Sequence, residues 1–388
     1  MLKAITNTLL SPLQLIIRDS RSLGIILMLC AIVSLLVSNS GWSDMYLSAW
    51  LHEFHFPEPL HLPHSVLHWV NDGLMAIFFF MVGMEIKREL LDGELADMRK
   101  ALLPVFAAIG GMVVPALLFN GFNKGTEYAH GWGIPMATDI AFSLGIASIL
   151  GKRVPVALKV FLTALAIIDD LGAIGVIALF YGGQIQWMML GGALVTSFAI
   201  YLLAKRKGTF YLRLFLAVFL WYLIFNSGIH ATVAGVLFAF TIPMRELSHI
   251  EHKLHIPVNF VILPVFALAN TAIILPSGVM DALDNTLNFG IMAGLVIGKP
   301  LGIMIFSYLL VQLKWGALPE NVSWMQMLGV GMLAGIGFTM SIFIATLAFT
   351  DAASQDIAKI SVLLASLLSV ILGSLTLIFF SKTLTPEP

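Results

Sequence analysis

Apolar runs of about twenty residues recur along this chain, and no long hydrophilic stretch separates them. Such a run matches the roughly 30 Å of hydrocarbon that a helix must cross in a bilayer. Reading with that window gives about twelve spans, near residues 22–39, 66–86, 101–122, 127–150, 154–181, 187–204, 210–224, 229–243, 254–276, 287–312, 323–350 and 357–381. Composition agrees: 59% of the 388 residues are hydrophobic and 11% are charged. A soluble domain carries about 25% charged residues, so this chain lacks the charge to cover a water-facing surface. The expected fold is all-α, a polytopic membrane protein with residues 1–388 as a single integral unit.

The same figures exclude several functions. A net charge of −1 and a mean hydropathy of +0.94 argue against a nucleic-acid partner, which requires a concentrated basic face. The single cysteine, Cys30, lies in an apolar run and rules out an intramolecular disulfide framework. No GxxxxGK[ST] loop is present, which removes nucleotide hydrolysis as an energy source, and no motif calls for a cofactor. The first run is too long, and too far from the amino terminus, to read as a signal peptide.

The basic residues set the orientation. With a cytoplasmic amino terminus, the inside segments collect Lys3, Arg18, Arg21, Lys87, Arg88, Arg99, Lys100, Lys152, Arg153, Lys205, Arg206, Lys207, Arg213, Arg245, Lys253, Lys314 and Lys382. The outside loops collect only Lys124 and Lys359, while Lys159 and Lys299 lie within spans. That alternation follows the positive-inside rule and predicts both termini in the cytoplasm.

A charge at mid-bilayer costs roughly 2.5–3.5 kcal/mol on insertion scales, so one that persists points to function. The set here is Asp72, Asp139, Lys159, Asp169, Asp170 and Lys299. Asp169 and Asp170 stand in ALAIIDDLGAIGVIALF, near the middle of a span. Successive helical residues point about 100° apart, so one carboxylate can face a cavity while the other meets a partner helix. The bland alternative, buried ion pairs holding helices together, suits packing poorly because small or apolar residues do that work at lower cost. For Asp72, toward the outer end of its span, a solvated or structural role is equally open.

Two spans look interrupted. The fourth breaks around Pro135 in GWGIPMATDIAFSLG, just before Thr138 and Asp139, and the eleventh breaks at Gly335-Ile336-Gly337. They occupy corresponding places in two halves, roughly 101–181 and 287–381, which an odd offset in spans would make inverted repeats. Facing half-helix amino termini carry partial positive charge and favour an aspartate, whereas facing carboxyl termini favour a lysine. Asp139 and Lys299 fit those two roles.

Over essentially its full length the chain resembles the bacterial NhaA-type sodium/proton antiporters. The resemblance rests on NDGLMAIFFFMVGMEIKREL, GWGIPMATDIAFSLG, VFLTALAIIDDLGAI, SGIHATVAG, ILPVFALANT, GLVIGKPLGI and GIGFTMSIFIA, in that order. It implies that Asp169 and Asp170 bind sodium or lithium in exchange for protons. Thr138 and Asp139 then belong to crossing unwound segments, and Lys299 compensates the other helix ends and pairs with the first aspartate. Glu85, Arg88, Glu89, Glu251, His252 and His255 match a pH-responsive cytoplasmic mouth, and His230 matches a histidine that influences pH dependence. The resemblance further implies a homodimer in the bacterial inner membrane, joined through a hairpin in the first outer loop.

The residues themselves support this chemistry. A hard monovalent cation prefers oxygen ligands, which carboxylates, a threonine hydroxyl and unwound carbonyls supply. Glu85, Arg88 and Glu89 share one helix face, and histidine titrates near neutrality. His52, His55, His61, His64 and His68 crowd the outer loop, but no cysteines accompany them and prolines interrupt their spacing. An intramembrane aspartyl protease and a passive cation channel are the competing readings. The first needs two carboxylates converging to share a proton, and the second would move ions without proton counterflow.

Overall fold

In a bilayer every backbone polar group must find its partner inside the protein, and the chain meets this demand with helices. The computed structural model describes residues 20–57, 60–206, 208–275, 278 and 283–380. Both termini, with Lys3, Arg18, Lys207 and Lys382, lie outside the described residues. In order, the helices are α1 (Ser20–Ser38), α2 (Ser43–Leu51), α3 (Val66–Leu91), α4 (Met98–Asn123), α5 (Ile140–Ile149), α6 (Val156–Phe180) and α7 (Trp187–Ala204). They continue as α8 (Phe210–Phe225), α9 (Val233–Thr241), α10 (Met244–Asn270), α11 (Thr286–Gln312), α12 (Trp324–Ala334), α13 (Phe338–Ala348) and α14 (Ala352–Phe380). A 3-10 segment, Glu127–Met136, leads into α5. No strand forms among the described residues; in the first outer loop, where a hairpin is expected, one antiparallel bridge joins Glu53 to Ser65.

Among the described residues, seven helices are long and apolar enough to cross a membrane, or up to ten if each bent pair counts as one span. The pairs are α1 with α2, bent by 116°, the 3-10 segment with α5, by 44°, and α12 with α13, by 46°. Among the runs read as spans, α8 has 16 residues and α9 only nine. The turn before α9 explains its shortness: Gly228 holds φ at +85°, and its carbonyl takes the Gly183 N–H at 2.7 Å.

Local sequence sets many of these boundaries. Asp97 caps α4 through the Arg99 N–H, Asn285 caps α11 through the Asn288 N–H, and Ser323 with Gln326 forms a capping box on α12. Among the described residues, three helices contain a π-turn: Val70–Leu74 in α3, Val258–Ile262 in α10 and Ala293–Gly298 in α11. Such turns shift the phase of all that follows and often mark functional positions. The first carries Asp72, and Lys299 directly follows the third.

Packing divides into two cores. The larger joins α1, α3 to α6 and α10 to α14, with Phe79, Phe119, Leu165, Leu295 and Phe343 among its fully buried members. The smaller gathers α7, α8 and α9 around Leu220, Ile200 and Ala239. Glycines bring backbones together where the site is built. A Cβ on Gly302 of α11 would collide with the Gly110 carbonyl of α4, and Gly110 faces the Gly302 carbonyl in the same way. Large apolar side chains such as Leu179, Met188 and Phe379 stand more than two-thirds exposed, as a lipid-facing surface allows.

Two basic residues stand elsewhere than the loop count assumes. Lys359 lies inside α14 rather than in an outer loop, and it is buried. Arg213 lies within α8, 2% exposed, with Nη2 2.5 Å from Glu246 on α10. Its positive charge is matched inside the protein, which a hydropathy window cannot register.

Candidate functional site

The two breaks touch each other. After the 3-10 segment ends at Met136, Ala137 to Asp139 run extended, and the Asp139 N–H donates to the Ile336 carbonyl in the other break at 2.7 Å. Asp139 is the N-cap of α5, accepting the Phe142 N–H at 2.9 Å. Its second oxygen accepts the Thr339 N–H at 3.0 Å and the Thr339 hydroxyl at 2.5 Å, in the first turn of α13. Gly337, the N-cap of α13, has no side chain to offer. One carboxylate therefore caps two helix amino termini, where the partial charge is positive.

The carboxyl-terminal sides are served by donors. Lys299 Nζ donates to the Met136 carbonyl, at the end of the 3-10 segment. The Thr138 hydroxyl lies 2.9 Å from the Ala334 carbonyl at the end of α12 and 2.7 Å from Asp169 Oδ2, so its one proton serves either. Ser143 donates to the Leu333 carbonyl at 3.0 Å, and Ser341 to the Ile134 carbonyl at 2.7 Å. Aspartate at the amino ends and lysine at a carboxyl end is the arrangement expected from the sequence.

Asp169 and Asp170 project from the middle of α6 and are both buried. They part as neighbouring helical residues should. Asp169 Oδ2 forms a 2.6 Å ion pair with Lys299, both side chains fully enclosed. Asp169 Oδ1 and Asp170 Oδ1 are buried with no hydrogen-bond partner. An orphaned buried carboxylate oxygen is costly, and two of them on adjacent residues mark a place suited to a cation or a proton.

The remaining candidates form two further groups. On one, Arg88 of α3 pairs with Glu251 of α10 at 2.8 Å and with its neighbour Glu89 at 3.4 Å. Glu85 lies one turn away on the same helix, while the His252 and His255 side chains remain exposed and form no hydrogen bond or ion pair with the described residues. In the second group, Asp72 is buried rather than solvated. Its oxygens lie 2.8 Å from His68 Nε2 and 3.2 Å from His230 Nε2, and His230 Nδ1 lies 3.0 Å from the Thr232 hydroxyl.

Sequence reasoning missed several participants. His68 was grouped with the loop histidines, although its place four residues before Asp72 on a helix could have joined them. Thr339, Ser341 and Ser366, whose hydroxyl accepts the Phe338 N–H at 3.2 Å, serve the broken backbone. Their signal was small hydroxyl residues on or facing a glycine-rich break.

Comparison with known proteins gives the same identification. The family model for Na+/H+ antiporter 1 matches residues 14–377. The chain is 47% identical over 375 residues to Na(+)/H(+) antiporter NhaA 2 of Flavobacterium johnsoniae, covering 94% of this chain and 92% of that protein. It is 48% identical over 373 residues to Na(+)/H(+) antiporter NhaA of Citrobacter koseri, covering 90% and 93% respectively. It is 46% identical over 368 residues to the NhaA antiporter of Cytophaga hutchinsonii, covering 93% of each. All three relatives are named as transporters rather than enzymes. The matched stretch includes both breaks, the paired aspartates and Lys299, and the chain belongs to the Na+/H+ antiporter 1 family.

Proposed function

We propose that this chain exchanges cytoplasmic sodium or lithium for external protons across the bacterial inner membrane, thereby maintaining sodium and pH homeostasis. The observation that carries this reading is the pair of orphaned carboxylate oxygens on Asp169 and Asp170, enclosed beside Thr138 and Lys299. With Lys299 paired to Asp169, the adjacent buried carboxylate still needs neutralising, by a cation or by a proton. A sodium ion takes oxygen ligands, and the Thr138 hydroxyl and break carbonyls offer more of them. Ion and protons then compete for one site, which couples their movements. Lys299 either holds Asp169 between cycles or carries a proton itself, and transport is electrogenic when more than one proton enters for each monovalent ion that leaves.

The architecture that suits this cycle has twelve spans with both termini in the cytoplasm. Residues 101–181 and 287–381 are inverted repeats, with the broken fourth and eleventh spans crossing at the site. The element order supports the repeat: a long helix, a broken pair and a long helix occur in each half. Rocking of such a unit about a fixed site alternates access. For the pH response we assign Glu85, Arg88, Glu89, Glu251, His252 and His255, supported by the Arg88–Glu251 tie between α3 and α10, together with His230. The first outer loop, closed by the Glu53–Ser65 bridge, is assigned to a homodimer contact.

The deciding experiment uses purified protein in liposomes carrying a pH-sensitive dye. Asp170→Asn is expected to abolish sodium-driven proton movement at every pH tested, from about 6.5 to about 8.5. Exchange at near the parent rate would overturn the assignment.

A further inference from the structure

The 3-10 segment Glu127–Met136 runs ten residues. Ordinary 3-10 stretches rarely exceed about four, because their hydrogen bonds are poorly aligned. Its persistence therefore depends on groups outside it. Thr126 caps its start by accepting the Tyr128 N–H at 3.2 Å, and Ser341 of α13 donates to the Ile134 carbonyl at 2.7 Å. Lys299 holds the Met136 carbonyl at its end, and a further support is Tyr181, the residue that closes α6. Its hydroxyl donates to the His130 carbonyl at 2.8 Å and accepts the Gly133 N–H at 3.0 Å. Gly133 makes that contact possible, since a Cβ there would stand 2.7 Å from Tyr181 Oη. The Trp132 ring lies nearly parallel to the tyrosine, 6.4 Å between centroids at 26°.

We infer that Tyr181 is a positioning residue for ion binding, fastening the arm that enters the first break to the helix that carries Asp169 and Asp170. The inference rests on the proposed exchange at those carboxylates. Three residues beyond Gly133, the Met136 carbonyl holds the Lys299 ammonium, and Thr138 then faces Asp169. Arm and helix are thus joined at two places, Tyr181 and the Thr138–Asp169 contact. An α-helix rises about 1.5 Å per residue and a 3-10 helix about 2.0 Å. Each arm residue that rewinds toward α-helix once Tyr181 lets go shortens the arm by about 0.5 Å. With Ser341 and Lys299 still holding its far end, such a slip loosens the Met136 carbonyl and the Thr138 hydroxyl without removing them from the site. The tyrosine hydroxyl keeps the arm extended.

Tyr181→Phe keeps the ring and its stacking but removes both hydrogen bonds. In proteoliposomes the apparent KM for sodium is expected to rise about fivefold, with maximal rate and thermal midpoint in detergent nearly unchanged. Gly133→Ala strains the same contact from the other side and should raise KM similarly. The double variant should be no worse than the worse single, because both act through one contact. A Tyr181→Phe KM within about 1.5-fold of the parent would overturn the inference, as would a rise in KM accompanied by a matching fall in rate and thermal midpoint. If Tyr181→Phe does not fold, an unchanged KM in Gly133→Ala overturns it equally. Asp170→Asn, run alongside, separates the two levels: its retained exchange would remove the proposed function, whereas its inactivity with an unmoved Tyr181→Phe removes only the positioning role.

Discussion

Asp139→Asn is the sharpest test of how the interrupted helices are held. The carboxylate accepts the Phe142 N–H with one oxygen, and the Thr339 N–H and hydroxyl with the other. An asparagine amide has the same shape but only one acceptor oxygen for two helix ends. Turned toward Phe142, its NH₂ faces the Thr339 N–H and leaves that donor unsatisfied, at about 1–3 kcal/mol. Lost charge at two helix amino termini adds about 0.3–2 kcal/mol each. Relief from burying a carboxylate offsets part of this, so the expected loss is about 2–4 kcal/mol. The assay is unfolding in mixed detergent micelles followed by tryptophan fluorescence. A cycle with Thr339→Val should show a coupling of about 1–2 kcal/mol, since each variant removes the other's partner. Stability of Asp139→Asn within about 0.5 kcal/mol of the parent, or strict additivity with Thr339→Val, would refute the two-helix cap.

Two further outcomes are expected. Lys299→Ala leaves Asp169 charged and unpaired in a fully enclosed site, a loss of about 3–5 kcal/mol, and adding Asp169→Asn should restore most of it in the same unfolding assay. Replacing His252 and His255 together with asparagine should move the activity–pH midpoint by about half a unit or more; an unmoved profile in vesicles removes them from the response.

Much of the candidate site was legible in the sequence because its residues break the rule of the surrounding solvent. Asp139, Asp169, Asp170 and Lys299 are costly in an apolar run wherever the neighbours lie, so local context suffices to single them out. Proline and glycine showed where the backbone breaks, and helix dipoles showed which charge belongs at which end. What depends on the third dimension was hidden. Arg213 reads as one more orienting charge until Glu246 meets it from another helix. The pairing of Asp72 with two histidines needs the fold for His230, and Tyr181 reads as a span-end aromatic until Gly133 reaches it. The 3-10 geometry of residues 127–136 and the three π-turns escape a hydropathy window because apolar residues tolerate all of these windings.

Where Gly110 meets Gly302, α4 and α11 are interlocked like meshed teeth. A side chain at either position would strike the facing carbonyl, so the glycines are what let the two backbones touch. Lys299 lies three residues before Gly302, and its Cε stands 3.6 Å from where a Cβ on Gly111 would be. The height of the ammonium is therefore geared to α4. In the cycle proposed above, a shift of Lys299 therefore carries α4 with it, and the smallest moving part is two helices wide.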